Sequence, residues 1–240
     1  MLGRIGKSYV LSMCIMLIWL PIVANASAAP AVSDPLPVEE PQAHTAGKAA
    51  AAKPTPATTT VEQLRAVLRK FWIDHGIWTR NYIVSFVAGM EDQEAVLARL
   101  LQNQQDIGNA LKPYYGKEAG NKLTELLREH ILIAGKLFDA IKRGHLEDTE
   151  KYKLDWYWNA KDIAVFLSKL NPNWPAKQLQ ELLEKHLQLV TDDLNARLNK
   201  DWPADIAFFD QVQEHLIRFA DVLANGIAKQ FPQKFGGSGK

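Results

Sequence analysis

The chain has 240 residues, with 28 lysines and arginines against 27 aspartates and glutamates, and a single cysteine. That cysteine, Cys14, lies in the apolar stretch near the start, so the rest of the chain has no disulfide and no thiolate metal ligand and must rest on its core. With Arg4 and Lys7 set aside, 26 basic side chains face 27 acidic ones and no basic run stands out, which argues against a nucleic-acid partner.

Residues Met1 to Ala26 carry Arg4 and Lys7, then the apolar run Tyr9 to Val23, then Ala24-Asn25-Ala26, the pattern of a secretory signal peptide with a small-residue cleavage site. The run is shorter than the roughly 20 residues of a spanning helix, so no transmembrane segment is expected in the mature chain. The expected location is extracellular, free or associated with the cell surface. From Ser27 to Thr58 the composition turns to Ala, Pro, Thr and Ser, the profile of a disordered linker that gives reach and is dispensable for folding. His44 belongs to this linker.

From Thr59 to Phe231 apolar residues recur at three and four places and proline is confined to boundaries, which predicts an all-α domain over 59–231. The first helix opens on a Thr59–Glu62 capping box and runs to Gly89. A second starts near Asp92 and ends before Lys112-Pro113-Tyr114-Tyr115-Gly116, where proline and glycine interrupt the ladder. A third covers Lys117 to Arg143 and a fourth Asp148 to Leu170. The fifth and sixth begin at the matching motifs Asn173-Trp174-Pro175-Ala176 and Asp201-Trp202-Pro203-Ala204, with proline in the first turn. The predicted architecture is a six-helix antiparallel bundle, followed by a flexible tail over 232–240.

The bundle is built on a repeat. Leu126-Leu127-Arg128-Glu129-His130 recurs 56 positions on as Leu182-Leu183-Glu184-Lys185-His186, and Phe71-Trp72-Ile73-Asp74-His75 stands nearly the same interval upstream. A second series matches Asn103 with Asn159, and the next step of 56 lands on His215. Three repeated helical hairpins follow. His75, His130 and His186 lie 14 residues before a turn and the other three 14 or 15 after one, so all six sit about 21 Å from one end of the bundle. Each has apolar neighbours at helical spacing and faces inward.

Two uses of such a level present themselves. It can fix the register of similar hairpins through buried hydrogen bonds. It can also bind a divalent transition metal, zinc, copper or nickel, through His75, His130, His186 and His215, since imidazole needs no thiolate beside it. In that second reading Asn103 and Asn159 orient the rings, while Asp106 and Asp162, one turn further on, accept their outer N–H groups. Arg218 holds the third equivalent position and breaks that rule.

No catalytic residues emerge. Neither Glu-x-x-His nor His-Glu-x-x-His occurs, and Gly236-Gly237-Ser238-Gly239-Lys240 lacks the spacing of a phosphate loop. Trp174, Trp202, Tyr114 and Tyr115 stand at turns, where aromatics either plug a bundle end or stack on sugars or a partner surface. The function expected is a secreted or surface-tethered non-catalytic binding protein, for a transition metal or a small ligand at the histidine level, or else a structural or protein-interaction module of the cell envelope or spore.

The stretches Phe71 to Arg80, Leu111-Lys112-Pro113-Tyr114-Tyr115-Gly116 and Leu170-Asn171-Pro172-Asn173-Trp174 resemble a family of uncharacterised secreted helical proteins of endospore-forming bacteria. Members sometimes carry the label acetylglutamate kinase. The sequence has neither the strands nor the glycine-rich phosphate loops which that activity requires. The resemblance brings no catalytic residues; a cell-envelope or spore-surface partner is the expectation of the structural or interaction reading.

Overall fold

The computed structural model describes residues 59–236, which belong to one compact unit, Lys53–Lys240. The expected signal peptide, the whole of the linker and residues 237–240 lie outside the described residues. Among those described there is no strand. The elements are α1 (Val61–Ala88), α2 (Gln93–Arg143), α3 (Leu146–Leu170), α4 (Ala176–Leu198) and α5 (Trp202–Gln230), then a 3-10 turn at Pro232–Phe235. None of these helices is long and apolar enough to cross a membrane.

The helical elements number five where the sequence predicts six. The difference lies at Pro113 and Gly116, where the expected break is a kink inside α2. Only Gly116 leaves helical geometry there, with φ 85° and ψ 171°, and the hydrogen-bonded ladder resumes at once on its far side. A side chain would be strained at that φ, so glycine makes the bend possible. The bend brings distant parts of α2 together: the Thr124 hydroxyl points at the Gln104 carbonyl, 3.5 Å away. A Cβ on Gly108 would stand 2.5 Å from the Gly120 carbonyl oxygen, whereas 12 residues of straight helix would hold them about 18 Å apart.

Helix starts follow local chemistry. Thr60, one residue later than predicted, caps α1, because its hydroxyl accepts from Gln63 N at 3.1 Å while the Gln63 amide accepts from Thr60 N at 2.8 Å. The Asp201 carboxylate caps α5 by accepting from Ala204 N, with proline in the first turn. The elements close into a ring in which α1 packs on α2 and α5, α2 on α3, α3 on α4, and α4 on α5. One continuous core runs through it, from Leu68 and Ile83 through Ile107, Leu123 and Ile163 to Leu187 and Leu223.

The turn aromatics divide. Trp174 is buried and donates its indole N–H to the Val222 carbonyl, and the Tyr115 hydroxyl joins Asn171 and Gln230 beside it. Both plug that end of the bundle. Trp202 is half exposed under the Arg197 guanidinium. Order also continues past the expected boundary at Phe231, since Phe235 stacks on Tyr114 and Lys234 donates to the Pro113 carbonyl.

Candidate functional site

Helical spacing puts His75, Asn103, His130, Asn159, His186 and His215 on inward faces, and all six side chains are buried, as is Gln104. They are joined in three matching ways. Asn103 Nδ2 donates to the Phe71 carbonyl at 2.9 Å, Asn159 Nδ2 to the Leu126 carbonyl at 3.2 Å, and His215 Nε2 to the Leu182 carbonyl at 2.8 Å. Each carbonyl belongs to the residue four before a histidine of the first series: His75, His130 and His186. The polar side chain of one helix thus reads the backbone of its neighbour one turn from that histidine. His215 performs in the third instance what asparagine performs in the first two.

The bonds also set the His130 tautomer. Asn159 turns its amide nitrogen to Leu126, so its Oδ1, 2.7 Å from His130 Nδ1, accepts the proton there and leaves Nε2 as a bare lone pair. Gln104 Nε2 donates its two protons to the Leu100 carbonyl at 2.8 Å and to Asn103 Oδ1 at 3.2 Å, and lies 3.3 Å from His75 Nδ1. The His75 and His186 Nε2 atoms face each other at 3.3 Å, so one of the two rings gives a proton there and the other accepts it.

Burial decides the charge state. It depresses His75 to about 3, helped by the nearby His130, and His130 to about 4 against the bond from Asn159. It also lowers His186 far below the usual imidazole range, with His75, His130 and His215 adding to the effect. His215 is lowered by burial too, against its bond to Leu182. No carboxylate bonds to any of these rings, so a proton on one of them would be an uncompensated buried charge.

His75, His130 and His186 line a small cavity of about 10 Å³, together with Thr79, Tyr82, Trp156 and apolar side chains including Leu100 and Phe138. His215 does not line it, although its ring lies parallel to that of His186 with centroids 6.4 Å apart. Asp106 pairs with Arg99 and Gln102, and Asp162 is exposed, so neither bonds to a histidine. Exposed His145 stands just before α3, 3.8 Å from Asp148.

A metal fits this set in part. Two nitrogens bound to one tetrahedral metal at about 2.0–2.1 Å stand roughly 3.3–3.4 Å apart. The His75 and His186 Nε2 atoms are 3.3 Å apart, and His130 Nε2 is buried with no partner. Both facing Nε2 atoms would have to give up the proton they share before a metal could sit between them. Among the described residues no three or more His, Cys, Asp or Glu side chains already stand as a metal-holding group.

A second polar cluster escaped the sequence reading. The Arg80 guanidinium bonds Asp193 at 2.5 Å and clasps both oxygens of Asp205, the Nη2–Oδ2 bond being 2.6 Å, while Arg197 reaches Asp205 at 3.1 Å. Asp193 and Asp205 are buried, and the cluster ties α1, α4 and α5 together. Burial pushes Asp193 up to about 7 against the pull of Arg80; burial also acts on Asp205, but the bonds from Arg80 and Arg197 hold it below the usual carboxylate range. The signal was present in the periodicity, since His186, Val190, Asp193 and Arg197 follow one helix stripe. Thr79, one turn beyond His75, and Gln104, beside Asn103, were legible in the same way. Compared with protein-family models, curated proteins and solved structures, the chain matches none.

Proposed function

We propose that the chain is a non-catalytic helical binding protein, exported and free or tethered at the cell surface, whose ligand is one divalent transition metal in the three-histidine cavity. The observation that carries this reading is that His75, His130 and His186 line one small cavity, with the His75 and His186 Nε2 atoms 3.3 Å apart and His130 Nε2 buried without a partner. Asn159 supports it by fixing the His130 tautomer that exposes Nε2. His215 orients α5 through Leu182. The metal class is zinc, copper or nickel, the usual partners of imidazole.

The test is metal analysis of protein purified without an affinity tag, followed by thermal unfolding of stripped protein with each metal added. Metal at about 100 times its dissociation constant should stabilise by about 2.7 kcal/mol. His130→Ala should abolish that gain. No bound metal and no shift with any of the three would overturn the proposal. Export is tested separately, by the mass of the mature chain in the culture medium, which should begin near Ser27.

A second reading is favoured by a different observation, the three matching bonds to Phe71, Leu126 and Leu182. In it the six-helix count is regained by taking the two arms of α2 separately, and the chain is three copies of one hairpin whose polar level fixes their register. The protein then acts as a structural or interaction module of the envelope or spore surface. Full stability and partner binding in metal-stripped protein would favour this reading.

A further inference from the structure

We propose that the seam between α3 and α4 is a binding site for a neutral oligosaccharide, laid along the two helices with one sugar ring stacked on Trp158. The inference goes beyond the metal reading and does not depend on the histidine cavity.

The seam holds two hollows. One, of about 250 Å³, is lined by Leu154, Tyr157, Trp158 and Lys161 from α3 and by Gln180 and Glu184 from α4. The other, of about 270 Å³, has Glu150, Lys153 and Tyr157 from α3 and Gln188, Thr191 and Asn195 from α4 in its lining. Tyr157 lines both, and the lining residues ascend along α3 as they descend along α4, so the hollows succeed each other in one groove. Twelve residues of helix, from Thr149 to Lys161, make it about 18 Å long. Ligand sites in helical bundles commonly lie in such clefts between helices.

Leu154 and Trp158 are each 60 % exposed. The 56-residue repeat supplies the comparison, because the equivalent positions are also exposed and hold Ala98 and Gln102 on α2 and Asp210 and Glu214 on α5. The fold therefore asks nothing large and apolar of these positions. Only α3 carries a leucine and a tryptophan there, one turn apart, and apolar surface left open in a single unit points to a ligand contact rather than a packing need. Lys161 Nζ lies 4.7 Å from the Trp158 ring centroid, and the side chain stays largely open despite it.

The rest of the lining selects the class. Glu150 and Glu184 balance Lys153 and Lys161, so the groove offers no net attraction to an anion or a cation. A docking helix needs a row of exposed apolar anchors, and the groove has two, since Leu137 and Ile141 of α2, which also line the second hollow, are tied into the core. Around Trp158 and Leu154 stand the Gln180, Gln188 and Asn195 amides and the Thr191 and Tyr157 hydroxyls, which can both give and take hydrogen bonds. A sugar is uncharged, has C–H faces that stack on an aromatic ring, and carries hydroxyls around its edge. The groove matches it on all three counts.

The test is titration calorimetry of the full chain with two neutral, extended sugars, cellotetraose and chitotetraose. At least one should bind at one site per chain and move the Trp158 indole N–H peak in NMR spectra. Trp158→Ala changes an exposed side chain and should leave the unfolding midpoint in place, but it should weaken binding about tenfold or more through loss of the stacked ring. Tyr157→Phe should weaken it less. Trp202→Ala, at an exposed tryptophan outside the groove, should leave it unchanged. No binding of either sugar, an equal loss from Trp202→Ala, or binding of a heparin tetrasaccharide or a lysine-rich peptide in place of the sugars would overturn the inference. So would self-association through this face, read as a dimer that Trp158→Ala converts to monomer. If Trp158→Ala unfolds the chain, the wild-type spectra decide: a sugar-induced shift of the Trp158 peak without one of Trp202 supports the site, and its absence overturns it. None of these readouts involves metal, so a failure here is distinct from a failure of the metal reading.

Discussion

Halfway along the bundle His75, His130, His186 and His215 are buried without a carboxylate bonded to any of them; two turns closer to the Gly89 end, the guanidinium groups of Arg80 and Arg197 are packed against the carboxyl groups of Asp193 and Asp205. The first region buries polar groups by keeping them neutral and sharing protons with amides and carbonyls. The second does so by matching charges. Neutral burial succeeds only while the pH leaves the rings uncharged, whereas the guanidinium–carboxylate cluster, in which Asp193 takes up a proton at about pH 7 while Asp205 is held below the usual carboxylate range, tolerates no missing member. The two regions should therefore fail under different insults.

Acid gives the largest expected effect. The histidines have folded-state affinities for protons well below the usual 6.5, at about 3 for His75 and about 4 for His130, so the unfolded chain takes up protons that the folded chain refuses. Stability is fully present above about pH 6.5 and falls as the pH drops below it. Asp193 acts in the opposite sense, because its folded-state value is raised to about 7 and the folded chain holds a proton that the unfolded one releases. His75 and His130 against Asp193 leave a net uptake of about one proton on unfolding, a slope of about 1.4 kcal/mol per pH unit between roughly pH 6 and pH 5, and His186 and His215 act in the same direction as the other two rings. Urea unfolding at intervals of half a pH unit measures it, and a flat profile would mean that the rings are not buried neutral.

Breaking the charge cluster comes next. Arg80→Ala leaves two buried carboxylates with Arg197 alone, which should cost about 3–5 kcal/mol in urea unfolding at pH 7. Replacing Arg80, Asp193 and Asp205 together by Met, Leu and Leu should recover most of that loss. A triple variant no better than the single one would show that the cluster contributes more than mutual compensation.

Asn159→Ala should cost less, about 1–3 kcal/mol, since it leaves His130 Nδ1–H without its acceptor and frees the proton to move to Nε2. The NMR tautomer of His130 should change with it. His215→Asn should cost least, under about 1 kcal/mol, because an amide can give the Leu182 carbonyl the bond that Asn103 gives Phe71. A large loss there would mean that the ring of His215, parallel to that of His186, does something an amide does not.

Much of this was legible in the sequence because it depends on short-range periodicity. The spacing of Leu123, Leu126 and Leu127 before His130, or of Leu179, Leu182 and Leu183 before His186, settles which face turns inward before any packing is known. The 56-residue interval likewise marks Asn103, Asn159 and His215 as equivalents, and the structure gives them equivalent bonds. The helix count was less legible, because Pro113 and Gly116 announce a break but whether the ladder resumes at once depends on the bend that packing imposes.

Only the tertiary structure decided which nitrogen faces which. Asn159 could have bonded His130 by either of its amide atoms, and the nearby Leu126 carbonyl settled the choice. His215 stands at the right height but gives its Nε2–H to Leu182, and periodicity carries no information on where a ring points around its own χ angles. Asp106 and Asp162 follow the asparagines by a constant step, yet they lie off the inward stripe and meet arginine or solvent. The Arg80 cluster was hidden because its members are separated by more than 100 residues in sequence, from Arg80 to Asp193 and Asp205, and ring closure between α1, α4 and α5 alone brings them together. Helix faces follow from spacing within a few turns, whereas charge pairing and proton placement across the bundle follow from which faces meet.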